Sequence, residues 1–285
     1  MLTPSPNPVT GGTILVEQLL IQGVDTIFGV PGESYLGVLD AMYPVRDRIK
    51  FVITRVENGA ANMAETYGKL TGKPGVCMVT RGPGATHASI GIHTAMQDST
   101  PMVVLIGQVG RAMKDREAFQ EVDYRAMFGP LAKWVAEIDR AERIPEYIAR
   151  AFHMAQSGRP GPVVLSLPED LTSETFDLPP GGLTARPVEP AATTLAAPQP
   201  GQIKQAMAML AKAEKPFVLL GGPSWSDEGI TAITRFAEAN NLPVGCSFRA
   251  QDRFDNRHRN YAGDVGIGIN PALNKAVMES DLLLV

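Results

Sequence analysis

Short β-rich runs near 25–29, 49–54, 75–80, 102–107, 134–138 and 162–167 alternate with helical patterns near 13–22, 35–42, 57–71, 85–97 and 145–157. That alternation predicts an α/β fold, a doubly wound parallel sheet with helices on both faces. Gly23 and Gly72 stand where helix C-caps belong. In open sheets of this kind ligands bind beyond the carboxyl ends of the strands. Two loops leave strands and can lie on that edge, Val30-Pro-Gly-Glu-Ser34 and Arg81-Gly-Pro-Gly-Ala-Thr86.

The alternation stops between about residues 178 and 202, where Pro179, Pro180, Pro187, Pro190, Pro198 and Pro200 punctuate a stretch rich in Ala and Thr. This composition reads as a linker. A second series follows: a helix over 201–213, the strand Phe217-Val-Leu-Leu-Gly221, a helix over 228–240, the strand Leu242-Pro-Val-Gly-Cys246, a helix over 271–279 and the apolar run Asp281-Leu-Leu-Leu-Val285. The expected organisation is a first domain over 1–180, a linker over 181–200 and a partial second α/β domain over 201–285. About 85 residues is thin for a doubly wound domain, so the sequence reads as cut short.

With 285 residues, 44% hydrophobic and 20% charged, the chain has the balance of a soluble globular protein long enough for about two domains. A formal charge of −4 argues against a nucleic-acid partner, which needs a clearly basic surface. Cys77 and Cys246 each lie in a short apolar run and read as small core residues of a protein from a reducing compartment. Residues 1–12 carry no basic region followed by an apolar one, and no apolar span approaches the roughly 18–20 residues of a membrane helix. Cytoplasm is the default location. His87, His93, His153 and His258 are scattered without a metal-ligand spacing, so no protein-built transition-metal site is expected.

Residues 55–72 place a carboxylate on a helix face that is otherwise small and apolar: Glu57, Ala60, Ala61, Ala64 and Gly68 share one side. Such a face can pack closely against a sheet or admit a flat ligand, and a carboxyl at its edge would lose water and keep its proton more readily. A plainer reading stands beside this one, because Thr54-Arg-Val-Glu57 also fits a capping box. Gly82-Pro-Gly84 imitates the first half of a dinucleotide fingerprint, but His87 occupies the third glycine position. For the glycines and prolines of both loops the plain alternative is ordinary turn chemistry.

The segments Phe28-Gly-Val-Pro-Gly-Glu-Ser34, Thr80-Arg-Gly-Pro-Gly-Ala-Thr-His87, Gln97-Asp-Ser-Thr-Pro101 and Val103-Val-Leu-Ile-Gly-Gln-Val109 flank Glu57 in an informative order. Together they resemble the pyrimidine-binding domain of the thiamine diphosphate enzymes, and above all the acetolactate synthase large-subunit family. Ala118-Phe-Gln-Glu121 and Ser157-Gly-Arg-Pro-Gly-Pro-Val-Val164 extend the likeness. The resemblance implies thiamine diphosphate as cofactor, with Glu57 on the aminopyrimidine ring nitrogen and Pro31, Gly32, Pro83 and Gly84 where the backbone approaches it. It implies Phe119, Gln120 and Lys133 on the substrate side, with Gln120 close to the chemistry. Read without the family, Phe119 anchors a loop and Gln120 is solvated.

The activity implied is decarboxylation of a 2-keto acid such as pyruvate, with transfer of the acyl unit to a carbonyl acceptor. Active sites would form between subunits of a homodimer or homotetramer. A 2-keto acid decarboxylase of the benzoylformate type is the nearest rival, and a non-catalytic nucleotide- or flavin-binding module is the rival from another class. Gly221-Gly-Pro223 resembles the place where the family's central domain meets FAD or another nucleotide. In this superfamily Mg2+ and the diphosphate are held by a carboxyl-terminal domain carrying Gly-Asp-Gly. Gly263-Asp264-Val265 lacks the second glycine, so no metal ligands are expected here and the chain by itself is expected to be inactive.

Overall fold

The computed structural model describes residues 9–176, 188–194, 196–223 and 225–285. The chain divides into two compact units, Met1–Thr194 and Leu195–Val285. In the first unit the elements run β1 (Val9–Thr10), α1 (Gly11–Ile21), β2 (Thr26–Gly29), α2 (Leu36–Met42), β3 (Lys50–Ile53), α3 (Glu57–Thr71), β4 (Gly75–Val79), α4 (Gly82–Asp98), β5 (Met102–Gln108), α5 (Tyr124–Phe128), β6 (Trp134–Glu137), α6 (Ile144–Gln156), β7 (Pro162–Pro168), α7 (Glu169–Ser173) and β8 (Thr175–Phe176). Strands β2 to β7 form one six-stranded sheet in the order β3-β2-β4-β5-β7-β6, with every neighbouring pair parallel. β1 and β8 pair antiparallel apart from it.

The doubly wound expectation holds because the sheet buries both faces. Every residue of β4, β5 and β7 is buried, as parallel strands covered on two sides require. Alternate residues supply the two cores. On one face Val76, Met78, Val103 and Leu105 join Leu15, Leu19, Val38, Ile148 and Phe152 from α1, α2 and α6. On the other, Cys77, Val79, Val104 and Ile106 meet Ala60, Ala61, Ala64, Ala85, Ala88 and Ile92 from α3 and α4.

Local chemistry sets the helix ends. The Thr10 side chain caps α1 by accepting from the Thr13 N–H at 3.1 Å. α4 begins three residues before the expected 85, because Pro83 suits a first helical turn. Gly72 closes α3 at φ +70°. Gly23 has φ +79° and follows Gln22, the residue that closes α1.

The strand order places a switch of direction between β2 and β4: from β2 the chain winds outward to β3, then returns to the other side of β2. Loops leaving strands on either side of such a switch enclose a crevice. Gly32 lies in the loop after β2, and Gly84 in the first turn of α4, directly after the short connection from β4.

Of the expected linker, 181–187 and 195 lie outside the described residues. Val188 is tied to the first unit: its carbonyl accepts from Gln18 and Gln22 Nε2, both at 2.7 Å, and its N–H donates to Gln18 Oε1 at 3.1 Å.

The second unit contains α8 (Pro200–Leu210), β9 (Pro216–Leu220), α9 (Asp227–Ala239), β10 (Val244–Ser247), β11 (Tyr261–Val265), α10 (Pro271–Met278) and β12 (Leu282–Leu284). Its sheet has the order β11-β10-β9-β12 and is parallel throughout. Val218, Leu220, Leu242, Val244, Cys246 and Phe254 build its core. β11 was not expected from the sequence, since Tyr261-Ala-Gly-Asp-Val265 has neither an apolar run nor alternation. Its pairing with β10 is irregular between Val244 and Gly245, and Gly263 sits at φ +130°. Asp264 accepts a 2.8 Å hydrogen bond from Gln251 Nε2. Both cysteines are free and buried. Among the described residues no helix is long and apolar enough to cross a membrane.

Candidate functional site

Glu57 is the first residue of α3, and Val56 before it gives the helix no side-chain cap. The capping-box reading of Thr54 to Glu57 therefore fails: the Thr54 hydroxyl donates to the Val56 carbonyl at 2.9 Å, and the Glu57 carboxylate turns elsewhere. Its side chain is 14% exposed, with Oε2 3.0 Å from Nδ1 of His87, one turn into α4. Oε1 faces Gly84, where an added Cβ would stand 3.3 Å from it and 2.9 Å from Thr80 Cγ2.

Gly32 completes the enclosure, because a Cβ there would stand 2.7 Å from Thr80 Cβ and 3.2 Å from Tyr35 Cε1. Within reach of the Glu57 charge lie Tyr35 and Cys77, both buried. Burial first, and the nearby Glu57 charge as well, push the Tyr35 hydroxyl and the Cys77 thiol up, so both stay protonated near neutrality. Pro31 and Pro83 are exposed at the two loops.

Several contacts fix these loops to each other. The Ser34 and Thr80 hydroxyls hydrogen-bond at 2.9 Å, and the Tyr35 hydroxyl donates to the Val30 carbonyl. Arg81, only 6% exposed, pairs with Glu33 at 3.3 Å and with Glu169 at the start of α7. One guanidinium thus joins the chain segments that follow β2, β4 and β7. Sequence reasoning passed over both Arg81 and His87. The available signals were a lone cation inside a Gly-Pro loop, and a histidine three residues after Gly84 on the same helix.

Gln120 also reaches this edge. Its backbone has φ +65°, and its carbonyl accepts from the Gly82 N–H at 3.0 Å, which lays the segment 118–121 over the first turn of α4. Phe119 is 71% exposed there. Glu121 closes the segment by accepting from the N–H groups of Asp115 at 2.7 Å and Ala118 at 3.1 Å. Those bonds, Asp115's first, hold its carboxyl below the ordinary range.

Lys133 does not join the others. It precedes β6, at the amino end of the sheet, and its ammonium donates to the Met154 carbonyl and, at 2.7 Å, to the Ser157 carbonyl at the end of α6. The substrate-side expectation is thereby corrected: Lys133 closes a helix C-terminus, a site favourable to cations. Lys133→Met should lower stability by about 1–3 kcal/mol, the scale of charged hydrogen bonds, and leave KM for substrate unchanged. Thermal unfolding beside steady-state kinetics checks this.

Residues 9–127 match the thiamine pyrophosphate enzyme N-terminal TPP binding domain, and residues 203–285 match the central domain of the same enzymes. The chain belongs to the thiamine pyrophosphate enzyme family. Among its relatives is the acetolactate synthase large subunit of Haemophilus influenzae, 36% identical over 279 residues, covering 97% of this chain and 48% of the relative. The acetolactate synthase isozyme 3 large subunit of Escherichia coli is 37% identical over 278 residues, 96% of this chain and 48% of the relative. A probable acetolactate synthase large subunit of Methanocaldococcus jannaschii is 35% identical, covering 96% and 46%. The chain spans about half the length of the curated relatives it matches.

At Gly32 and Gly84 an added side chain would collide with Thr80, so the segments after β2 and β4 pack closely beside a largely dehydrated carboxylate. Among the described residues no group of three His, Cys, Asp or Glu side chains could hold a metal ion. In the second unit, Trp225 Nε1 donates to the Gly221 carbonyl at 2.9 Å, so an indole packs at the Gly221-Gly-Pro223 turn.

Proposed function

We propose that this chain is part of an acetolactate synthase-like enzyme that decarboxylates a 2-keto acid, pyruvate in the simplest case, and joins the acyl unit to a carbonyl acceptor. The observation carrying this reading is Glu57, 14% exposed at the crevice where the sheet changes direction and facing the side-chain-free position Gly84. Relatives named acetolactate synthase along nearly the whole chain support it.

Thiamine diphosphate supplies the reactive carbon when bound. Glu57 holds a proton at a ring nitrogen of the aminopyrimidine, a task suited to a carboxyl shielded from water. An aspartate would fall a methylene short. Pro31 with Gly32, and Pro83 with Gly84, let the main chain approach the ring, while Phe119 and Gln120 line the substrate side. Arg81 keeps the two cofactor loops in register through Glu33 and Glu169.

The diphosphate and Mg2+ belong to a carboxyl-terminal domain, for which the greater length of the relatives leaves room. An FAD would meet the second unit near Gly221. The working protein is a cytoplasmic homodimer or homotetramer with active sites between subunits. Incubating the full-length protein with pyruvate, thiamine diphosphate and Mg2+ should yield acetolactate. Free aldehyde as the main product would make it a decarboxylase, and no consumption of any 2-keto acid would overturn the reading.

A further inference from the structure

The segment over 111–121 has a costly backbone. Of the five non-glycine residues with a left-handed φ among the described residues, three fall within it: Asp115 at +60°, Glu117 at +53° and Gln120 at +65°. Side chains disfavour that region, and such conformations persist only where the surroundings over-determine them. Core packing does not supply this here. Residues 111–117 and Phe119 are exposed, and a cavity of about 470 Å³ is lined by Lys114, Asp115 and Glu121 of the segment and by Gln108, Glu137 and Ser166 of β5, β6 and β7. Hydrogen bonds hold the segment instead. At its start Arg111 donates through its N–H and Nε to Asp170 at 3.0 and 2.8 Å, and Lys114 Nζ donates to Glu137 at 2.7 Å. At its end the Gln120 carbonyl accepts from the Gly82 N–H. Between these anchors the two oxygens of Glu121 take one donor each: Oε1 accepts from the Asp115 N–H at 2.7 Å and Oε2 from the Ala118 N–H at 3.1 Å. The Glu121 N–H in turn donates to the Ala118 carbonyl at 2.9 Å. Meeting both donors takes two acceptor oxygens at the reach of a glutamate. Glutamine would turn its NH2 toward one of the N–H groups, and aspartate would stop a methylene short.

We propose that Glu121 is a positioning residue for the substrate side: by closing the segment on itself it holds the left-handed turns from Asp115 to Gln120 and so sets where Phe119 and Gln120 stand. Its carboxylate bonds within its own segment and acts on the reaction only through these two neighbours. The proposal rests on the reading that Phe119 and Gln120 line the substrate side.

The test compares wild type, Glu121→Gln, Glu121→Asp, Phe119→Ala and Gln120→Ala as full-length holoenzymes with pyruvate, thiamine diphosphate and Mg2+. Both Glu121 variants should lower kcat/KM for pyruvate by about 10-fold or more, the scale of one hydrogen bond to a charged group. Thiamine diphosphate affinity and hydrogen–deuterium exchange at the cofactor's thiazolium carbon should stay within about twofold of wild type, below the scale of a lost hydrogen bond, because the contacts of Glu57 do not run through Glu121. Amide exchange read by mass spectrometry should show the Asp115 and Ala118 amides losing protection in peptides covering 111–121, with α3 and β4 unchanged. Wild-type kcat/KM in either Glu121 variant, with Phe119→Ala or Gln120→Ala impaired, overturns the role of Glu121 alone. If Phe119→Ala and Gln120→Ala both leave kcat/KM unchanged, the substrate-side reading falls and the role of Glu121 with it. A loss of cofactor exchange as large as the loss of kcat/KM would make Glu121 a general support of the fold, which also overturns the proposal.

Discussion

Glu57→Gln in the full-length protein should lower turnover of pyruvate by about 10²–10⁴-fold, the range of a positioned general acid–base group. Glutamine matches the shape of the glutamate and can still meet His87, so the small face of α3 keeps its packing and the fold should be unaffected. What disappears is an oxygen able to hold and release a proton beside Gly84. Rapid-quench hydrogen–deuterium exchange at the thiazolium carbon separates this from a binding defect. Equal exchange in the variant and the wild type would remove Glu57 from the chemistry.

Gly75→Ala should produce the largest loss of stability. A Cβ at this position would stand 1.8 Å from the Ala64 carbonyl oxygen and 2.7 Å from its carbon. Both are backbone atoms of α3, so no side-chain rotation relieves the clash and the helix must lift from β4. Overpacking typically costs about 1–3 kcal/mol, occasionally more, and this contact belongs at about 3 kcal/mol or above. With about 2–4 °C per kcal/mol for chains of this size, the melting temperature should fall by roughly 6 °C or more. Gly201→Ala is the control, since a Cβ there meets nothing within 4 Å and should be neutral or slightly stabilising. Equal melting temperatures for the two variants would show that α3 is not clamped to the sheet through Gly75. The same displacement would carry Glu57 away from Gly84, so activity should fall ahead of global unfolding.

Helix α3 shows how far sequence reasoning reaches. The spacing of Glu57, Ala60, Ala61, Ala64 and Gly68 marks a small face with a carboxylate at its edge, and those four small residues are buried in the structure. Spacing along one helix carries no information about the opposite surface, so neither Gly75 nor His87 was legible as a partner. The capping reading of Glu57 failed for the same reason: the local pattern permitted it, and a residue 30 positions later took the carboxylate. Lys133 stands on the substrate side only by resemblance, and the packing of α6 and β6 puts its ammonium on the Met154 and Ser157 carbonyls instead.

By itself the sequence determined the alternating elements, the glycine-bearing loop after β2 and the small face of α3, because these arise from residues a few positions apart, while the expected loop over 81–86 is the first turn of α4 from Gly82 onward. The tertiary structure alone decided that β2 and β4 lie side by side, that Glu57 meets His87, that Arg81 clamps Glu33 and Glu169, and that β11 is a strand at all. Those outcomes depend on which distant segments share the sheet, and no local period encodes that choice.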